Sequence, residues 1–289
     1  MIDQREPLTI KKELEWAVPF LSASNNNIAN ARLEAEVLMA KVLNWERIKV
    51  LAHLLDPISE LDSQGFRRLV QKRAKGYPLQ YLTGSQEFMS LAFKVSPAVL
   101  IPRDDTHILV ETVLSLKPQV KPNPSIIDVG TGSGIISVAL KKYWPEAKVS
   151  AVDISPQALE VAKANAENHQ LEIAFYQGDL LTPFQGSHTF DIIVSNPPYI
   201  PSRDIKNLQV EVTQEPVLAL DGGADGLEFY RRLAKVAPSC LNPRGWLAVE
   251  IGFDQGEAVK RIFADNGFES VKVVQDYAGL DRVVYGVKS

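Results

Sequence analysis

The tetrapeptide Asn196-Pro197-Pro198-Tyr199 carries the most specific chemistry in the chain. Two consecutive prolines fix φ and remove two backbone donors, so the carbonyls of Asn196 and Pro197 are left to accept hydrogen bonds while Tyr199 offers a flat face. Such a set suits a planar NH₂ group: the Asn196 side-chain oxygen and the Pro197 carbonyl accept its two hydrogens, and the substrate plane stacks on Tyr199. An amide or aryl NH₂ is a poor nucleophile because its lone pair is delocalised. Hydrogen bonds that favour a pyramidal nitrogen are stronger in the transition state than in the ground state, which is where rate comes from.

A second constellation lies upstream. The run Ser125-Ile126-Ile127-Asp128-Val129 reads as a buried strand that ends in Gly130-Thr131-Gly132-Ser133-Gly134, a glycine-rich turn opening a helix. Glycines let the backbone approach a ligand, and the helix N-terminus offers unpaired N–H groups to it. Ile135 stands where a dinucleotide fingerprint wants its third glycine, so the spacing does not fit that class. Asp153 closes the next strand, where a carboxylate can accept both hydroxyls of a ribose. Asp179 follows the third strand and can meet an adenine amino group. Each of these also has a purely structural reading, as a tight turn, a turn aspartate or a loop aspartate. Taken with the tetrapeptide, they place an NH₂ nitrogen in line with a sulfonium methyl, and no strong base is required because the methylated nitrogen is acidic.

Composition sets the outer bounds. The chain has 289 residues, 45% hydrophobic and 23% charged, the profile of an ordinary globular protein with one or two domains. The 31 Lys and Arg against 35 Asp and Glu leave a net charge of −4, which argues against a nucleic-acid substrate and against anionic lipid. Cys240 and the scattered His53, His107, His169 and His188 have no metal-ligand spacing, so no metal is expected. The start, Met1 to Pro7, has charges of both signs, and no run of about 18 apolar residues occurs. A soluble, cytoplasmic protein is expected.

The elements that must position these residues follow from periodicity. Residues 9–75 read as helices, with Leu33, Val37 and Ala40 on one stripe and Phe66, Leu69, Val70 and Arg73 on another. Asn25-Asn26-Asn27 and Asp56-Pro57 are turn chemistry, and Gly76-Tyr77-Pro78 stops the last helix. The run 86–96 predicts one or two strands in a connector. Helices are then predicted at 105–117, 134–144, 156–169, 226–237 and 255–265. Strands are predicted at 125–129, 147–152, 172–176, 190–195, 245–251, 269–274 and 282–287. Ser155 and Pro156 supply the cap and first position of the 156–169 helix. This alternation predicts an α/β doubly wound, mostly parallel sheet. The expected domains are a helical bundle at 1–77, a connector with a β-hairpin at 78–102, and the sheet domain at 103–289.

With these residues in place the chain resembles a known family. Asp128 to Gly134, Asp153 and Asn196 to Tyr199 look like motifs of class I S-adenosylmethionine-dependent amino-methyltransferases, with a seven-stranded sheet. Gly76-Tyr77-Pro78-Leu79-Gln80-Tyr81-Leu82-Thr83-Gly84, Glu87-Phe88, Ile101-Pro102-Arg103, Glu215-Pro216, Asp225-Gly226, Glu250-Ile251-Gly252 and Gly279-Leu280-Asp281-Arg282 resemble one branch, the bacterial release-factor glutamine methyltransferases (the HemK/PrmC family). The resemblance spans almost the whole chain. It implies N5-methylation of the glutamine in the Gly-Gly-Gln motif of class 1 peptide chain release factors, with S-adenosylhomocysteine released. It also implies that Asp128, Gly130, Thr131, Gly132, Ser133, Gly134, Asp153, Asp179, Leu180 and Asn196 hold the cofactor. Asn196, Pro197, Pro198 and Tyr199 would hold the glutamine, with Asn196, Pro197 and Tyr199 catalytic, in a protein acting as a monomer. The N-terminal bundle would dock the release factor, and Arg67, Arg68, Lys72, Arg73 and Lys75 are either its docking patch or a solvated helix face.

Arg103-Asp104-Asp105-Thr106-His107 departs from the family, which usually has proline after the arginine and glutamate after the threonine. Leu180 stands where some members stack an aromatic on adenine. The same tetrapeptide occurs in adenine-N6 DNA methyltransferases and related RNA enzymes, which makes a nucleic-acid amine the nearest alternative. A non-catalytic S-adenosylmethionine-binding protein is the second. Glu211, Glu215 and Glu250 are not ranked by sequence, although Glu250, at the end of the fifth strand, reads as an acceptor behind the site.

Overall fold

The computed structural model describes residues 8–24, 26, 28–186 and 189–289. The segment 1–7, two asparagines of the 25–27 turn and His188 lie outside the described residues. By internal contacts the chain forms two compact units, Met1–Gly84 with Gln209–Gln214, and Ser85–Leu208 with Glu215–Ser289.

The first unit is helical: α1 (Ile10–Ser22), α2 (Ala31–Leu43), α3 (Arg47–Ala52), α4 (Glu60–Ala74) and α5 (Leu79–Thr83). Thr9, Asn30 and Ser59 cap α1, α2 and α4, each accepting from a backbone N–H three residues on. Leu14, Ala17, Leu21, Ala35, Leu38, Met39, Phe66 and Val70 fill the core. The helical period expected for α2 is present, and of its expected stripe Ala40 is buried and Val37 half-buried, but Leu33 is 39% exposed, while Ala31, Ala35, Leu38 and Met39 also face inward. Because α2 is apolar around most of its circumference, sequence alone left two stripes possible.

Arg73 corrects another expectation. It is 3% exposed and bonds Glu34 at 2.5 Å and Glu211 at 2.8 Å, so it is an interior charge and not part of any surface patch. Glu13 is buried against Arg67, which donates two hydrogen bonds to it, and Glu36 is buried between Arg32 and Arg47.

The second unit opens with the hairpin β1 (Ser85–Phe88) and β2 (Leu91–Lys94). Then follow α6 (His107–Ser115), β3 (Ser125–Val129), α7 (Ile135–Tyr143), β4 (Lys148–Asp153), α8 (Pro156–Asn168), β5 (Ala174–Gln177), β6 (Phe190–Ser195), α9 (Glu228–Cys240), β7 (Leu241–Glu250), α10 (Gly256–Asp265), β8 (Phe268–Gln275) and β9 (Asp281–Lys288). The seven-stranded sheet runs β5-β4-β3-β6-β7-β9-β8, parallel except for β9 against both of its neighbours. It is the doubly wound sheet expected.

Three boundaries moved for local reasons. The helix expected from residue 105 begins at His107, after a 3₁₀ turn over Asp104–Thr106, and ends before Pro118. Helix α9 runs through Pro238 to Cys240. Strand β7 starts at Leu241 because an irregular Asn242-Pro243-Arg244-Gly245 segment, with Arg244 at φ 61°, shifts its register against β6 and is then absorbed.

A candidate methyl-transfer site at the strand ends

Sheet register assembles the site. In β3, β4 and β6 the last paired residues are Val129↔Val152 and Val129↔Ser195, so Gly130, Asp153 and Asn196 emerge side by side at the carboxyl edge. Strand order reverses beside β3, between β4 and β6, the crevice where open α/β sheets bind ligands. Three segments far apart in sequence thus meet because their strands are neighbours.

The glycine turn is shaped from behind. Asp128 is fully buried, and its Oδ2 accepts from the Thr131 hydroxyl at 2.6 Å and the Ser137 N–H at 3.1 Å, while Oδ1 has no partner. Burial pushes its carboxyl up to about 6, against the pull of those hydrogen bonds. Gly130 and Gly132 have φ of 72° and 55°, and a Cβ at either would meet nothing within 4 Å, so both face open space. At Gly134, φ 83°, a Cβ would lie 3.1 Å from Ala162, so this glycine serves close packing of α8.

Asp153 ends β4 with Oδ2 accepting from Gly132 N–H at 2.8 Å and Oδ1 from Ser155 N–H at 2.9 Å. Burial raises its carboxyl, and the backbone donors at Ser155 and Gly132 work the other way. Each oxygen keeps a lone pair for a hydroxyl.

These edges enclose a cavity of about 330 Å³, within the range of small-molecule sites. Gly130, Thr131, Gly132, Ser133, Asp153, Asp179, Leu180, Asn196, Pro197 and Pro198 line it. Asp128, Gly134 and Tyr199 are not among the lining residues. Tyr199 is half-buried beside them, its hydroxyl pushed up to about 12 by burial and then by the Glu250 charge. Among the described residues no peptide bond is cis, which settles both proline bonds of the tetrapeptide. Asp179, expected at an adenine amino group, pairs with Arg232 at 2.5 Å. Leu180 adopts φ 51°.

Thr106, from the segment that departs from the family, lines the cavity, and so do residues not singled out from sequence: Leu218, Phe229 and Arg232. Phe229 lies under the Arg232 guanidinium, 5.5 Å from ring centroid to charge, and supplies an aromatic surface beside Asp179 and Leu180. No local pattern marks these residues; only the placement of α9 brings them in. Glu215 holds the loop before α6 from below: its carboxylate accepts from Ile101 N–H at 3.0 Å and pairs with Arg103. Among the described residues no group of three or more His, Cys, Asp or Glu is arranged to hold a metal ion, and no helix is long and apolar enough to cross a membrane.

The residues present fit an adenosyl sulfonium cofactor: an open glycine cradle, a carboxylate with free lone pairs, and an aromatic surface at the far end. A crystal structure of a methyltransferase from Pyrococcus furiosus superposes with a TM-score of 0.51 and 20% identity, over 70% of this chain and 90% of that one. Fold and strand order together define the class I methyltransferase fold. The sequence matches the PrmC N-terminal domain family over residues 13–84 and the methyltransferase small domain family over residues 104–278. It is 44% identical over 287 residues, 99% of both chains, to the release factor glutamine methyltransferase of Geobacter sulfurreducens. To that of Moorella thermoacetica it is 47% identical over 280 residues, 95% of this chain and 97% of that one. The chain belongs to the release factor glutamine methyltransferase family.

Proposed function

We propose that this protein transfers the methyl group of S-adenosylmethionine to the N5 side-chain amide of the glutamine in the Gly-Gly-Gln motif of class 1 peptide chain release factors, releasing S-adenosylhomocysteine. The observation that carries this reading is the register that sets Asn196, at the head of an acceptor cradle, beside Gly130 and Asp153. When bound, the cofactor supplies an electrophilic sulfonium methyl. In this reading Gly130, Thr131, Gly132 and Ser133 receive it through backbone and side-chain polar groups, with Asp128 and Gly134 shaping that turn from behind. Asp153 accepts the ribose hydroxyls, and Asp179 with Leu180 and Phe229 borders the adenine.

Asn196 Nδ2 donates to Thr106 Oγ1 at 3.3 Å, an assignment of the amide that leaves Oδ1 to accept from the substrate. With the Pro197 carbonyl as second acceptor, the glutamine NH₂ is held by both hydrogens and its lone pair is aimed out of the amide plane. Tyr199 stacks on that plane, and Gln255 Nε2 donates to its carbonyl at 3.0 Å to fix the turn. The helical unit docks the protein substrate, with Arg68, Lys72 and Lys75 exposed for it once Arg73 and Arg67 are committed to carboxylates. The enzyme works as a monomer, in the cytoplasm, and without a metal.

The test is mass spectrometry of a purified class 1 release factor after incubation with this protein and S-adenosylmethionine. One added methyl group on the Gly-Gly-Gln glutamine is the expected result. Methyl incorporation into duplex DNA or ribosomal RNA, with none into release factor, would overturn the reading.

A further inference from the structure

Strand register brings one more buried acid to the site. Ser195 of β6 pairs with Val249 of β7, so Asn196 and Glu250 leave the sheet as neighbours. Glu250 is 2% exposed, has its Oε2 buried without a partner, and lies where Thr106 and Asn196 favour its charged form. A carboxylate in that setting is costly to keep unless its charge is used.

We propose that Glu250 is a positioning residue for methyl transfer: with Thr106 it holds the Asn196 carboxamide nitrogen inward, so that Oδ1 alone faces the acceptor NH₂. This rests on the function proposed above and deepens it. The Thr106 hydroxyl accepts from Asn196 at 3.3 Å, which leaves its one proton to be offered to Glu250. An ionised Glu250 is acceptor-only, so it rejects the flipped amide that would turn Oδ1 toward it. A protonated Glu250 is a donor, admits the flip, and sets NH₂ against the acceptor's own NH₂.

The backbone around this pair is pinned from one source. The Tyr230 hydroxyl lies 3.0 Å from the Glu250 carbonyl and 3.2 Å from Gln255 Oε1, and Gln255 Nε2 reaches the Tyr199 carbonyl. Glu250 and the tetrapeptide are therefore held as one unit. The groups facing Glu250 are Asp105 from the turn before α6, Arg282 from β9, Tyr199 and Tyr230. Arg282 divides its charge between Asp105 at 3.2 Å and Asp276 at 2.9 Å. Burial holds the Glu250 carboxyl up to about 7, with Thr106 and Asn196 opposing.

The experiment follows kcat and KM for release factor against pH, together with the side-chain ¹⁵N–¹H signals of Asn196 in labelled protein without substrate. Wild type should lose kcat on the acid side, and its Asn196 signals should titrate over the same range. Glu250→Gln should lower kcat by roughly 10-fold or more, less than loss of the direct contact, with KM near wild type and both pH effects abolished. Thr106→Ser should retain kcat where Thr106→Val loses it. Asn196 signals that do not titrate, or a Glu250→Gln enzyme with wild-type kcat and pH profile, would overturn the proposal. Titrating Asn196 signals in an enzyme that leaves release factor unmethylated would support the positioning role and overturn the substrate reading instead.

Discussion

The two units treat buried charge in opposite ways. In the helical unit Glu13, Glu36 and Arg73 are each buried and each met by opposite charges, two for Glu36 and two for Arg73. Burial works against the Glu36 charge, but Arg32 and Arg47 outweigh it and its carboxyl sits below the ordinary value. At the strand ends of the catalytic unit, Asp128 and Glu250 are as deeply buried, form no salt bridge among the described residues, and keep an oxygen without a partner. Their carboxyls are pushed up. Paired interior charge serves a fold; unpaired interior charge is tolerated where a site uses it.

The largest effect expected from this contrast is in the helical unit. Arg73→Ala strands Glu34 and Glu211 and should destabilise the protein by about 3–5 kcal/mol in denaturant titration. Cofactor affinity of the folded fraction should be unchanged. An Arg73→Ala protein as stable as wild type would mean the interior pair is idle and the contrast false.

Next in size is the response to pH. A raised carboxyl contributes stability below its unfolded value that is lost as pH rises through its folded value, and a lowered one contributes stability that is lost as pH falls. Between pH about 4 and about 7 the catalytic unit should therefore lose stability as pH rises, by on the order of 3 kcal/mol for Glu250 alone at 1.36 kcal/mol per pKa unit. The helical unit should weaken only on the acid side, below pH about 4.5, as Glu36 protonates. Native-state hydrogen exchange, corrected for intrinsic rates, reads α2 and β7 separately, and equal pH slopes in the two would contradict the assignment.

Within the site, the two ends should separate. Asn196→Ala should cost at least ~10²-fold in turnover, the scale of one preorganised polar contact, and leave cofactor binding intact. Asp153→Ala should weaken S-adenosylmethionine binding by roughly 10-fold in calorimetry, the 1.4 kcal/mol equivalent of one lost polar anchor. Unchanged turnover in the first, or an unchanged dissociation constant in the second, would move that role elsewhere.

The catalytic edge was legible because its punctuation is local. The expected strands at 125–129 and 190–195 match β3 and β6, since glycine and proline runs mark where each one stops. What failed needed neighbours that no local pattern encodes. Phe229 and Arg232 reach the cavity only because α9 packs where it does, whereas Glu250, at the end of the fifth strand, already reads as an acceptor behind the site and takes only its neighbour, Asn196, from the pairing of β6 with β7. Arg73 followed the apolar period of α4 yet was counted with the surface charges; the period was the better guide, because it reports position and not polarity.

The smallest expected effect tests that lesson on α2. Leu33 and Val37 are spaced from Ala40 as regularly as Ala31 and Ala35 are from Leu38, and Ala40 is itself buried, so period alone does not tell that Leu33 is the one left outside. Caps add a constraint that period lacks: Asn30 accepts from Leu33 N–H at 3.0 Å, which fixes where the helix begins but not which side turns inward. The side is chosen by volume, since Leu38 and Met39 bury completely while alanines at 31 and 35 let a neighbouring helix approach. Leu33→Ala should then change stability by no more than about 0.5 kcal/mol. Leu38→Ala should cost about 2–5 kcal/mol in the same denaturant titration. Equal losses from the two would return the inner face of α2 to the stripe through residue 33.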